Sequence, residues 1–172
     1  GEHFDMEPYI QPDGKKMFFT SKRVPPGIDA TEFRKRTWYL QFNIWYMNRT
    51  ENGWDDPKMV SEEINGAGGA LYAPMTKNGT LYFTKKTAEG EFIYRSKFKN
   101  GTFSKAEKLP KNVNSQKVQF KAFISPDEDY ILVPVLKAGE NEEYHVSFRD
   151  KNDHWSKLIS IEKTLNVSSG YV

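Results

Sequence analysis

"ENGWDDPKMVSEEIN", residues 51–65, holds a turn signal, an aromatic residue and, 11 positions after that aromatic, an asparagine. The same landmarks return in "KNGTFSKAEKLPKNVN", residues 99–114, and in "KNDHWSKLISIEKTLN", residues 151–166. Trp54, Phe103 and Trp155 each precede their asparagine, Asn65, Asn114 and Asn166, by 11 residues. The aromatics lie 49 and 52 residues apart. Landmarks that keep register over three copies mark an internal repeat of about 50 residues.

Upstream of each aromatic lies a second shared feature, a tight turn between two apolar runs. It reads "EPYIQPDGKKMFFTSKR" at 7–23, "APMTKNGTLYFTKK" at 73–86 and "KAFISPDEDYILVPVLK" at 121–137. From Asp13, Asn78 and Asp127 to the aromatic the distances are 41, 25 and 28 residues. The first unit therefore carries an insertion of about 15 residues by this repeat spacing, between Val24 and Phe42. Gly and Asn turn signals cut the second unit into four strand candidates, near Leu71–Thr76, Thr80–Lys85, Glu91–Lys97 and Ala106–Leu109. The first unit offers Pro8–Gln11, Lys16–Ser21, Phe42–Asn48 and Lys58–Val60, and the third Ala122–Ser125, Tyr130–Val135, Glu143–Arg149 and Leu158–Ile161. "DATEFRKR", inside the insertion, is the one short helical candidate.

Four short strands repeating at this period predict an all-β chain, a β-propeller built of four-stranded antiparallel blades. Three blades fit, about 4–65, 70–114 and 118–166, with the insertion at about 24–41 of the first. A β-sandwich is the alternative, but it does not require equal landmark spacing. Glu128 stands where the first two turns have Gly14 and Gly79, which predicts a type I turn without positive φ there.

"EPYIQPDGKKMFFTSKR" and "FISPDEDYILV" resemble the "SPDG" repeats of TolB-type, WD-like β-propellers, and residues 142–166 resemble the outer half of such a blade. The resemblance covers nearly the whole chain. "TKNG", Glu128 and the long insertion depart from the pattern. It implies a bacterial protein of the periplasm or cell surface, or a secreted one, that binds a protein or glycan partner or serves as a scaffold. It also implies that first-strand residues Glu7, Tyr72 and Lys121 line a central channel. Propellers have four to eight blades, so the expectation is a piece of a larger propeller, or a homodimer completing a ring. Propellers of this family also occur attached to hydrolases, which leaves a carbohydrate-active enzyme fragment, a glycoside hydrolase or lyase, as the alternative function.

Composition narrows the classes. Charges of both signs are mixed to a net +2, and no basic stripe points to nucleic acid. No apolar run reaches the roughly 18 residues of a membrane helix. A start at Gly1, without Met, fits a processed terminus. The chain has no cysteine, which fits the cytosol and equally an exported bacterial protein without bridges.

No catalytic set assembles, and no cofactor is called for. His3, His145 and His154 lack metal-ligand spacing. "DKND" at 150–153 and "SPDED" at 125–129 read as Asx turns rather than calcium loops. Adjacent carboxylates such as Glu62-Glu63 point to opposite faces of a strand and do not converge. "GAGG" at 66–69 precedes no helix or lysine and reads as a link between blades. The Asn-X-Ser/Thr triplets at Asn48, Asn78, Asn100 and Asn166 read as turn chemistry rather than glycan acceptors. The insertion is the distinctive segment: Pro25-Pro26-Gly27 open a loop, then basic residues run into an aromatic strand. Arg34, Arg36, Trp38 and Tyr39 are the candidates for binding a partner, while Phe42, Trp45 and Tyr46 read as third-strand core.

Overall fold

The computed structural model describes residues 3–66, 69–136, 142–161 and 163. It is nearly all β, three antiparallel sheets following one another along the chain. The first holds β1 (Asp5–Ile10), β2 (Lys16–Ser21), β3 (Asn43–Thr50), β4 (Gly53–Trp54) and β5 (Lys58–Met59). The second holds β6 (Ala70–Leu71), β7 (Thr80–Thr87), β8 (Gly90–Lys99), β9 (Thr102–Phe103) and β10 (Glu107–Lys108). The third holds β11 (Phe123–Ile124), β12 (Tyr130–Leu136), β13 (Glu142–Phe148) and β14 (Ile159–Ser160). Each sheet is a meander, the fold of three propeller blades, as the repeat predicts; β4 and β9 only extend the outer hairpins.

The core sits in the seams between blades. Phe18 and Ile44 of the first blade meet Leu81 and Phe83 of the second. Tyr82 and Ile93, on the other face of the second, meet Ile131, Val133 and Trp155 of the third. Strand alternation produces this: Phe83 and Tyr82 are neighbours in sequence, so they point to opposite seams. In the third blade the recurring aromatic is a wedge, Trp155 being buried edge-on to Tyr82 at 6.5 Å, whereas Trp54 and Phe103 are half-buried.

The recurring asparagine has an equally local reason. Asn114 Oδ1 accepts from the Ile93 N–H at 2.8 Å, and its Nδ2 donates to the Ile93 and Leu109 carbonyls at 3.0 and 2.8 Å. Asn65 makes the same three bonds, to Ile44 N–H, Ile44 O and Val60 O. One side-chain amide thus continues the ladder where the fourth strand leaves it. Asn166 lies outside the described residues.

The first strands of the second and third blades are shorter than the apolar runs suggest, while β1 starts earlier than its run and is longer. Glu7, Tyr72 and Lys121 have φ of 57°, 55° and 57°. A left-handed residue breaks the ladder, so β1 shifts register between Met6 and Tyr9, and β6 stops at Leu71. The turn expectation for Glu128 is overturned. Gly14, Gly79 and Glu128 all occupy the fourth turn residue, donating to the carbonyl of the first, and their φ values are 71°, 85° and 64°. Glu128 is held in this conformation by what its side chain does.

That side chain is only 2% exposed and anchors an ionic clasp across the second seam. Tyr82 Oη and Asn78 Nδ2 of the second blade donate to its two oxygens, each at 2.7 Å, and the Arg149 guanidinium stands 3.2 Å away. Beside it Arg95 of the second blade forks onto both oxygens of Asp153 at 2.7 and 2.6 Å, and Arg149 Nε adds a third bond to Asp153. Bidentate geometry and burial make this a strong link between blades. It holds the Asp153 carboxyl well below the usual range.

Candidate functional site

Two groups of residues meet at the end of the blades where β2 stops and β3 starts. The first comes from β1 and from the residues flanking β6 and β11. Glu7, Tyr72 and Lys121 each lie seven residues before the fourth turn residue of their unit, so the repeat places them at one level. The Tyr72 N–H donates to Thr20 Oγ1 at 3.2 Å, tying the second blade to the first at this level. The Glu7 carboxylate takes a hydrogen bond from the Tyr72 side chain and feels the Lys121 ammonium, and Tyr72 faces Phe120 at 6.3 Å. Glu7 Oε2 is shielded from water and takes no hydrogen bond among the described residues.

Burial is the largest influence on Glu7 and lifts its pKa to about 7, against the lowering by Tyr72 and Lys121. The unfolded value is about 4.3. Between these two values the native state binds more protons, so Glu7 makes stability fall as pH rises towards 7. Glu7→Gln removes that fall. With a discount for its partial exposure, the variant gains about 1–2 kcal/mol over the parent at pH 8 and little at pH 4. Thermal melts of both proteins at the two pH values check this; equal differences at both would show that Glu7 titrates normally.

The second group is the insertion. "DATEFRKR" forms α1 (Ala30–Lys35), started by Asp29, whose carboxylate accepts from the Thr31 and Glu32 N–H groups at 2.9 Å. The side chain of Phe33 is buried, and Arg36 lies over its ring at 5.3 Å. A 3-10 turn, Trp38–Gln41, follows and leads into β3. Gly69 fits this turn closely, since a Cβ there would stand 2.6 Å from the Phe42 carbonyl oxygen and 2.9 Å from that of Tyr39.

Of the predicted binding residues, Arg34 is exposed on α1 and Arg36 is half-buried. Trp38 and Tyr39 remain 55% and 41% exposed. Trp38 belongs to a cluster with Phe4 and Phe42, at 5.6 and 5.3 Å, and Lys22 reaches over the rings of all three. Desolvation there lowers the Lys22 pKa. Lys86 of the second blade sits over Tyr39 at 3.8 Å. Phe42 and Trp45 are core, as expected, and Tyr46 is half-buried. Sequence reasoning missed Phe4, Lys22, Lys86 and Phe120, because their neighbours come from other strands. The structure thus brings Glu7, Tyr72 and Lys121 together and gathers Trp38 and Tyr39 with lysines at the same end of the blades. Among the described residues no cluster of His, Cys, Asp and Glu is placed to hold a metal ion. No described helix is long and apolar enough to cross a membrane.

No protein-family model and no curated protein matches the chain. Solved structures do. TolB from Acinetobacter baumannii superposes with a TM-score of 0.57 at 21% identity, over 89% of this chain and 31% of that one. An Agrobacterium tumefaciens protein assigned as TolB gives 0.55 at 16% identity, over 91% and 49%. A Bacteroides uniformis protein assigned as a 6-phosphogluconolactonase gives 0.50 at 10% identity, over 92% and 40%. The chain spans between a third and a half of these neighbours' lengths. Identity this low carries the architecture and not the activity. By its repeats and its superposition, this chain has the fold of three consecutive blades of a TolB-type β-propeller.

Proposed function

We propose that the chain is a non-catalytic binding or scaffolding propeller of a bacterial exported protein, acting in the periplasm or at the cell surface. It recognises a protein or a glycan through the loops at one end of its blades. The observation that carries this reading is the insertion. It breaks the repeat, and it holds Trp38 and Tyr39 exposed beside Lys22 and Lys86 on a well-anchored turn. Exposed aromatics rimmed by cations on a rigid loop are typical anchors for a partner. Trp38→Ala and Arg36→Ala are expected to weaken capture of the partner from an envelope extract roughly 30-fold, the size of a hot-spot loss. Their melting temperatures should stay near the parent's. Capture undiminished in both variants removes the insertion as the site.

A second reading is a carbohydrate-active enzyme fragment with its chemistry at Glu7. It is favoured by one observation, a carboxyl poised near neutrality beside Tyr72 and Lys121. It requires turnover on a polysaccharide panel that Glu7→Gln abolishes.

A further inference from the structure

The two seams of the molecule are built alike and filled differently. In the second, Tyr82 and Arg95 of one blade face Glu128, Arg149 and Asp153 of the next, and the clasp closes the wedge. Strand pairing fixes the matching positions in the first seam. Phe18 pairs with Tyr46 as Tyr82 pairs with Arg95. Phe98 pairs with Phe103 as Arg149 pairs with Trp155. Gly79 and Gly101 hold the turn positions of Glu128 and Asp153, with positive φ in all four.

At the places of Tyr82, Arg95, Glu128, Arg149 and Asp153 the first seam therefore has rings or glycine: Phe18, Tyr46, Gly79, Phe98 and Gly101. The wedge stays open there, as a groove of about 620 Å³ that all five of these residues line. Its size is that of a small-ligand site. It opens at the end of the blades opposite the insertion, between the inner turn Gln11–Gly14 and the outer turn at Gly101.

We propose that this groove is a glycan-binding site, taking one or two sugar rings of an oligosaccharide. Its walls are aromatic, and the C–H face of a pyranose stacks on such rings. Phe98 and Phe103 stand 5.0 Å apart, and Tyr46 continues the wall from the first blade. Its rim mixes hydrogen-bonding groups of both kinds. Gln11, Lys15 and Thr102 offer donors, and Asp13 and Glu63 offer acceptors. A rim carrying both signs does not select an ion. A purely apolar ligand would gain nothing from those polar groups, of which Asp13 already accepts from the Lys15 N–H at 2.9 Å. Hydroxyl groups, which donate and accept, satisfy such a rim. The inference deepens the binding reading above by choosing glycan, but it stands apart from the insertion.

The test titrates the full chain calorimetrically with cellohexaose, maltohexaose and chitohexaose. At least one is expected to bind. Phe98→Ala is expected to weaken that binding about tenfold or more. The double variant Tyr46→Arg/Gly101→Asp rebuilds the clasp in the first seam and should abolish binding while the protein stays folded. Gly101 is already left-handed, a conformation Asp153 adopts in the third blade, so the backbone accepts the change. Trp38→Ala should leave the binding intact. No binding of any hexasaccharide by the parent, or undiminished binding by the double variant, overturns the proposal. Binding that Trp38→Ala removes and the double variant keeps also overturns it, while upholding the insertion as the site.

Discussion

Asn114→Ala is expected to destabilise the protein by about 3–5 kcal/mol, the largest effect of any single polar substitution proposed for this chain. The residue is buried, and its amide bonds both Ile93 and Leu109 where the ladder runs out, beside one backbone bond from the Leu109 N–H to the Ile93 carbonyl at 3.0 Å. Alanine leaves the Ile93 N–H and the Leu109 carbonyl facing a cavity, while the Ile93 carbonyl keeps the Leu109 N–H. For a chain of this size that loss lowers the melting temperature by roughly 10 °C or more. Asn114→Asp separates hydrogen bonding from packing. The carboxylate still accepts from the Ile93 N–H, but it confronts two carbonyl oxygens, so its pKa rises. Stability of this variant should fall as pH rises through the range where the group ionises, whereas the alanine variant shows no such slope. Melts of both variants between pH 4 and pH 8 check the pair. A loss below 1 kcal/mol in alanine would mean that water replaces the amide.

The second large effect belongs to the clasp. Arg95→Ala leaves Asp153 with Arg149 as its remaining cation and opens a gap beside Tyr82. The expected loss is about 2–3 kcal/mol, below that of a fully buried pair because Asp153 is partly exposed. Asp153→Ala should cost a similar amount. The double variant Arg95→Ala/Asp153→Ala should lose clearly less than the sum of the two single losses, since both remove the same bidentate pair. Additive losses in chemical denaturation would rule out the coupling. The Asp153 pKa is depressed in the native state, so the stability it supplies is complete above its unfolded pKa and is lost only as pH falls into strong acid.

These two devices differ in how far the sequence disclosed them. The asparagine was visible because its work is local. It braces strands of its own unit, so it must recur at a fixed distance from the aromatic, and spacing alone exposes it. The inner level is legible only through the family resemblance, since nothing in the types of Glu7, Tyr72 and Lys121 announces that they meet. The clasp was hidden because its members come from different units, and each alone reads as an ordinary strand or turn residue. The available signal was misread: Glu128 and Asp153 stand where the pattern has glycine. A charged residue in a left-handed position is unfavourable by about 1 kcal/mol or more unless something holds it. In sequence Glu128 reads as relaxing the turn, whereas Tyr82 and Asn78 of the neighbouring blade hold its carboxylate. The raised pKa of Glu7 was equally out of reach, since burial by the inner strands causes it.

The asparagine brace carries one more implication. Because it closes within a single unit, a blade finishes its own edge without help from its neighbour. A unit of this kind is a repeatable module: its edge closes the same way in each copy, although its apolar faces are buried only against the neighbouring blades. Selection acting on such copies is then free to rewrite the surfaces where they touch. One boundary can harden into a lock while the next is left hollow, and the internal plan of each copy survives both outcomes.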